Sequence, residues 1–201
     1  MMFNDQEVFP RFSPVGESGI LLELGHDLSQ EINEQVVALD ARLCESPIEG
    51  VLDWIPAYAS LLVLYDPTLI SLSDVCQWLQ DGLNSFKIDV RYPRVQVEIP
   101  VRYGGFDGPD LVHVASLNGL STKDVIEKHS AKVYRVGMMG FTPGFPYLLG
   151  LDADLMTPRK RTPRTLVPAG SVGIAGFQTG IYPLDSPGGW QLIGRTDLTL
   201  F

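Results

Sequence analysis

The sequence is short of the residues that build metal centres, disulfide scaffolds and membrane spans. It holds two cysteines and three histidines in 201 residues. Cys44 and Cys76 are too few for a disulfide framework. Both fall in segments with helical spacing, where buried core thiols are expected. That usage fits a reducing compartment, so a cytoplasmic protein is expected. His26, His113 and His129 are scattered, and neither H-E-x-x-H nor C-x-x-C occurs, so no metal site is expected. No apolar run approaches the roughly 18 residues of a transmembrane helix. The opening MMFNDQEVFPRF is neither basic nor followed by an apolar stretch, so it does not read as a secretory signal. No membrane partner is expected. The phosphate-loop pattern G-x-x-x-x-G-K-[ST] and the nucleophile elbow G-x-S-x-G are also absent. Ser171, in VPAGSVG, follows a tight turn and reads as a turn residue.

Positive charge is scarce as well. The net charge is −9, spread unevenly: residues 1–93 carry fifteen acids and four bases, and residues 94–201 nine acids and eleven bases. Two units with different surfaces follow, and the acidic first half would repel nucleic-acid phosphates. No nucleic-acid partner is expected. Hydrophobic residues make up 45% and charged residues 19%, enough apolar material for a packed core.

The first unit, residues 1–90, reads as strand, strand, helix, strand, strand, helix. Phe9 to Val15, Ile20 to Leu24, Val51 to Ala57 and Ser60 to Tyr65 are the strands. Asp27 or Ser29 caps a helix with Ile32, Val36, Leu39 and Leu43 on one face. Ser71 or Ser73 caps a second with Val75, Trp78, Leu79 and Leu83. This is a small α+β layer on a largely antiparallel sheet. Asn84 to Pro93 breaks the periodicity and marks a boundary. In the second unit, residues 91–201, VQVEIPV over Val95–Val101 predicts a strand, with Pro100 suited to a sheet edge. Pro109-Asp110 starts a short helix, and Ser121-x-x-Asp124 resembles a capping box for another that runs to His129. Helix, Gly turn, helix invites a DNA-binding reading. Lys123 and Lys128 are offset by Asp124 and Glu127, however, so two packed helices covering a barrel end fit better. From Lys132 onward short strands alternate with Gly and Pro turns, which favours a barrel or sandwich.

The stretch Gly140–Gly194 holds 10 of the 20 glycines and 7 of the 15 prolines, together with Phe141, Phe145, Tyr147, Phe177, Tyr182 and Trp190. Aromatics at that density bury large apolar areas, so tightly turned β-structure is expected in place of disorder. It also carries PRKRTPR, the one concentration of positive charge. Arg159, Lys160, Arg161 and Arg164 sit on a backbone stiffened by Pro158 and Pro163. Held there, guanidinium groups can take carboxylate or phosphate in a bidentate fork. The alternative is a solvated loop or an ion-paired contact with the acidic first unit. Arg195 could aim at the same site. His129 is the candidate proton-transfer group because it titrates near neutrality, against a capping role at a helix end. Gln178 could orient a carbonyl or amide. Phe145 and Trp190 could form an apolar wall, or be core.

GFTPGFPYLLGL, PRKRTPRTLVPAGSVGIAGFQTGIYP and SPGGWQLIGRT, with PVGESGILLELG and the D-P-T run at Asp66, closely resemble the allophanate hydrolase subunit 1 family. That family includes the B subunits of bacterial 5-oxoprolinases and the kinase inhibitor KipI. The resemblance covers nearly the whole chain. It implies a small N-terminal α+β domain followed by a cyclophilin-like β-barrel. It implies further that the chain is one subunit of an ATP-dependent hydrolase opening the lactam of 5-oxo-L-proline to give L-glutamate. The implied partners are a second, carboxyltransferase-like subunit of the 5-oxoprolinase C or KipA type and a third of the LamB/YcsF type, the A subunit. ATP would bind at a shared interface or on a partner. The alternatives are a KipI-like inhibitor docking on a sensor histidine kinase, and an allophanate-type amide hydrolase subunit lacking the Ser-Ser-Lys signature. Related chains continue past LTLF into a Pro-Gly-Asp turn and a final strand, so a barrel short of its last strand is expected. Within the resemblance, the catalytic roles would fall to His129, Arg159, Arg164 and Gln178, and substrate contacts to Phe145, Trp190 and Arg195.

Overall fold

The computed structural model describes residues 8–85 and 95–200. The chain divides into two compact units, Met1–Arg94 and Val95–Phe201. The boundary expected at residues 90 and 91, most of the Asn84–Pro93 segment, the first seven residues and Phe201 lie outside the described residues.

In the first unit the chain runs β1 (Arg11–Val15), β2 (Gly19–Glu23), α1 (Gln30–Glu45), β3 (Val51–Pro56), β4 (Ser60–Tyr65) and α2 (Leu72–Ser85). The strands form one antiparallel sheet in the order β1-β2-β4-β3. Its buried face follows the period of two: Leu61, Val63 and Tyr65 on β4, Ile20 and Leu22 on β2. Val36, Leu39 and Leu43 of α1 and Val75 and Leu79 of α2 close over it. Ser29 caps α1 by accepting from the Ile32 amide at 3.1 Å. Ser71 accepts from the Asp74 amide at the start of α2. Cys44 is exposed, against the expectation of a core thiol, and Cys76 packs at the core edge; both are free.

The second unit runs β5 (Arg102–Tyr103), α3 (Leu111–Leu117), α4 (Thr122–Ser130), β6 (Arg135–Met139), β7 (Pro146–Leu149), a 3-10 turn at Ala153–Leu155, β8 (Arg164–Val167), β9 (Ser171–Ala175), β10 (Gln178–Ile181), β11 (Ser186–Gly188) and β12 (Gln191–Arg195). Six strands form a sheet in the order β5-β12-β9-β10-β7-β6, and β8 pairs with β11 separately. Among the described residues this sheet is open, with β5 and β6 as its edges and no closed barrel. The protein is therefore α+β in both units, built on antiparallel sheets.

The expected strand Val95–Val101 does not form; only Arg102 and Tyr103 pair, against β12. Val95 and Val97 project into solvent, and Pro100 has no amide to give a neighbour. The short helices form as read, and α4 carries the complete capping box between Ser121 and Asp124. They bury Leu111, Val114, Ala115 and Val125 against Val172, Ile174, Ile181 and Ile193. A second core gathers Phe145, Val167, Ala175, Tyr182, Trp190 and Leu192. Alternation along β12 sends Ile193 to one core and Leu192 to the other. No helix among the described residues is long and apolar enough to cross a membrane.

Candidate functional site

The basic run Pro158–Arg164 is a loop entering β8, and three contacts fix it. The Lys160 amide donates to the Gly189 carbonyl at 2.7 Å. The buried Gln191 side chain donates to the Pro158 carbonyl at 3.0 Å. Arg164 opens β8 opposite Gly188 of β11. Gly188 has to be glycine, because a Cβ there would come within 2.5 Å of the Tyr182 hydroxyl oxygen. The loop is therefore held to the aromatic core by hydrogen bonds and a bare position.

Its charges are not equivalent. Arg164 donates through Nη2 to both carboxylate oxygens of Asp110, at 2.7 and 2.8 Å, and through Nη1 to the Trp190 carbonyl at 3.4 Å. Lys160 Nζ reaches Asp110 Oδ1 at 3.2 Å. The Leu192 amide donates to Asp110 Oδ2 at 2.7 Å, and the Asp110 amide donates back to the Leu192 carbonyl at 2.9 Å. The Asp110 side chain is 8% exposed, that of Arg164 24% and that of Lys160 30%. Burial alone would raise the Asp110 carboxyl; the bonds from Arg164, the Leu192 amide and Lys160, with the Arg164 charge, outweigh it and hold the group below its ordinary range. Asp110 precedes α3 at the N-cap position, yet its side chain makes no cap bond. The local pattern around Asp110 signals a helix start; the acid is instead committed to cations 50 and 54 residues away.

Arg159, by contrast, is exposed and has no ion pair or side-chain hydrogen bond among the described residues. Its charge, with that of Arg164, acts to lower the Tyr182 hydroxyl, though burial leaves that phenol raised overall. Tyr182 is thus the member of the aromatic core that feels these cations. Phe145 is fully buried at the centre of that core, with ring centroids 5.1 Å from Tyr182, 5.4 Å from Trp190 and 4.7 Å from Tyr147. Phe141, at a positive φ of 64°, lies edge-on to Phe145 and Tyr182 while staying 59% exposed. Phe145, Trp190 and Tyr182 are core supports for the site, and Phe141 is the aromatic group at its surface.

Arg195 does not join Arg164. It lies at the opposite end of β12 from Trp190, about 17 Å along a strand of that spacing, and its Nε donates to the Ala169 carbonyl at 2.8 Å. Gln178 opens β10 opposite Ala175, half-buried, with no side-chain hydrogen bond among the described residues.

His129 is set apart on the helix-covered side of the sheet. It is 6% exposed. The Thr179 hydroxyl donates to the Gly173 carbonyl at 2.9 Å, so it must accept from His129 Nε2 at 3.0 Å. That fixes Nδ1 as the acceptor of the Tyr103 hydroxyl at 2.8 Å. Burial lowers the imidazole to about 4 and pushes the Tyr103 phenol up to about 12. With both ring nitrogens used and no exposed face, this neutral histidine is a structural strut, and the proton-transfer role expected from its position gives way to that.

Chemically, the arrangement offers a pinned cation pair and an exposed arginine beside an aromatic core that includes the buried Tyr182. It suits a small anion carrying carboxylate or phosphoryl oxygen. Comparison with known proteins identifies the family. The family model for the carboxyltransferase domain, subdomain C and D, matches residues 10–201. The B subunit of 5-oxoprolinase from Bacillus subtilis is 44% identical over 197 residues, covering 93% of this chain and 82% of that protein. The B subunit of 5-oxoprolinase from Escherichia coli O157:H7 is 44% identical over 191 residues, covering 93% and 84%. The crystal structure of TTHA0988 superposes with a TM-score of 0.80 at 43% identity over 91% of this chain. This chain spans 36% of the length of TTHA0988.

Proposed function

The chain belongs to the carboxyltransferase-domain family of subdomain C and D and to the family of 5-oxoprolinase B subunits, and from that premise we propose that it works within an ATP-dependent 5-oxoprolinase complex. The complex hydrolyses 5-oxo-L-proline to L-glutamate. The observation that carries this reading is the 44% identity sustained over 93% of the chain. The basic site agrees with it, because 5-oxoproline presents one carboxylate and one amide.

An unstrained lactam amide is a poor electrophile. Transfer of a phosphoryl group from ATP to its oxygen, with release of ADP, activates the carbonyl carbon. Water adds there, and the ring C–N bond breaks with a proton going to the nitrogen. A second water hydrolyses the resulting γ-glutamyl phosphate to L-glutamate and phosphate. In this chain Lys160 and Arg164 hold the substrate carboxylate through the donors Asp110 leaves uncommitted. Arg159 meets the charge developing on the phosphorylated oxygen. Gln178 orients the lactam amide, and Phe145, Trp190 and Tyr182 form the apolar core behind the site. ATP binds at an interface shared with a partner or mainly on that partner, consistent with the lack of a phosphate-loop pattern in this sequence. The partners are the carboxyltransferase-like C subunit and the LamB/YcsF-type A subunit, and the assembly is cytoplasmic. The second unit corresponds, in this reading, to the cyclophilin-like barrel domain of the family.

The deciding assay co-expresses the chain with those two partners and measures glutamate and ADP formed from 5-oxoproline. Stoichiometric glutamate and ADP are expected. A well-folded three-component complex that forms neither would sink the reading.

A further inference from the structure

Asp110 stands outside the basic run yet touches both of its partly buried cations. Its Oδ1 accepts from Arg164 Nη2 at 2.7 Å and from Lys160 Nζ at 3.2 Å. One oxygen therefore holds the two like-charged nitrogens no more than about 6 Å apart, a separation at which they would otherwise repel. The carboxylate is itself anchored on a central strand, through the Leu192 amide at 2.7 Å and the return bond from its own amide to the Leu192 carbonyl. Arg164 has five donors. One Nη2 proton is shared by the two Asp110 oxygens and one Nη1 proton serves the Trp190 carbonyl, which leaves the Nε proton, one on Nη1 and one on Nη2. Lys160 commits one of its three side-chain protons.

We infer that Asp110 is a positioning residue for substrate: it holds Lys160 and Arg164 as a preorganised pair whose remaining donors take the carboxylate of the lactam. The inference rests on the 5-oxoprolinase reading for the identity of the substrate. The physical logic is that of fixed dipoles. Cations already paired against their own repulsion need no reorganisation when the anion arrives. The substrate carboxylate keeps its charge throughout the reaction, so these contacts bind ground and transition states alike and act on KM.

The test uses the assembled complex. Asp110→Asn keeps an acceptor for the Leu192 amide and removes the countercharge. KM for 5-oxoproline is expected to rise about tenfold or more, with kcat changed by less than about threefold. Because Asp110 acts through both cations, adding Asp110→Asn to the variant with both Lys160→Ala and Arg164→Ala is expected to leave KM no worse than in that variant. A wild-type KM in Asp110→Asn, or a further multiplicative loss when it is added to that variant, would overturn the proposal, since a purely structural residue lowers thermal stability without the KM split. If Asp110→Asn does not fold, Asp110→Glu replaces it: the charge stays and the carboxylate moves by one methylene. A raised KM supports positioning, and a wild-type KM refutes it. Should the wild-type complex show no turnover, the oxoprolinase reading fails separately. The Arg164 Nε–H resonance of the isolated chain then decides the positioning claim. It is expected to be sharp in the wild type and broadened by exchange in the Asp110 variant, and an unchanged resonance overturns the claim.

Discussion

Asp110 and His129 are two buried ionisable groups in one unit, and the protein treats them in opposite ways. Each sits at a helix end, at the start of α3 and the end of α4, and each faces the same six-stranded sheet. Around Asp110 gather a guanidinium, an ammonium and a backbone amide, all donors, and the charge is kept. Around His129 gather two hydroxyls, and the charge is given up. The difference teaches that burial alone does not decide protonation. The number and sign of the donors do. It also separates function from support: the charged cluster has donors to spare for a ligand, while the neutral one has none.

The comparison breaks most severely at Asp110. Asp110→Ala strands two cations and the Leu192 amide, and about 3 kcal/mol of stability is expected to be lost, at the low end for a broken buried pair because Arg164 keeps some solvent. Chemical denaturation of the isolated chain checks this. On the other side, His129→Gln forfeits the fixed geometry of two hydrogen bonds, with an expected loss of about 1–3 kcal/mol by the same measurement.

Acid sharpens the contrast. His129 titrates near 4 when folded against 6.5 when unfolded, so the unfolded chain binds the extra proton between those values. The contribution from its neutrality is complete above pH 6.5 and is lost as pH falls towards 4, up to about 3 kcal/mol. Asp110 is depressed below its ordinary 3.8, so its contribution persists above 3.8 and is lost only as pH falls through the folded value beneath it. Two successive acid losses are expected in stability against pH, and His129→Gln should remove the upper one. The smallest effect on stability belongs to Arg159→Ala, since that side chain has no partner to lose among the described residues. Its unfolding midpoint should match the wild type while turnover by the complex falls at least tenfold, on the order of a lost transition-state contact. Equal turnover would return Arg159 to a solvated loop.

Much of the first unit was legible because its signals are local. Ile32, Val36, Leu39 and Leu43 repeat at helical spacing, and Ser29 stands where a cap belongs. In the second unit the local signals misled wherever a distant partner decided. VQVEIPV has strand composition but no neighbour that takes it as a strand. PYLL, inside a Gly/Pro-rich stretch, became β7 because β6 and β10 flank it. PRKRTPR was readable as a charged run, yet nothing in it shows that Asp110 claims Lys160 and Arg164 and leaves Arg159. Arg195 follows Trp190 closely in sequence, but an extended strand carries it to the far end of the sheet from the basic run.

The hydrogen-bonded chain through His129 also fixes strand register. β9 is buried at every position and β10 at all but its first, so neither shows the apolar–polar alternation that tells a strand which face is which. Apolar contacts would tolerate a slip of β10 by one residue. The polar chain from Tyr103 to His129 to Thr179 to the Gly173 carbonyl would not, because the slip turns the Thr179 hydroxyl to the opposite face and leaves an imidazole N–H buried without an acceptor. A proton that never moves thereby spells out which residue of β10 must stand opposite which residue of β9.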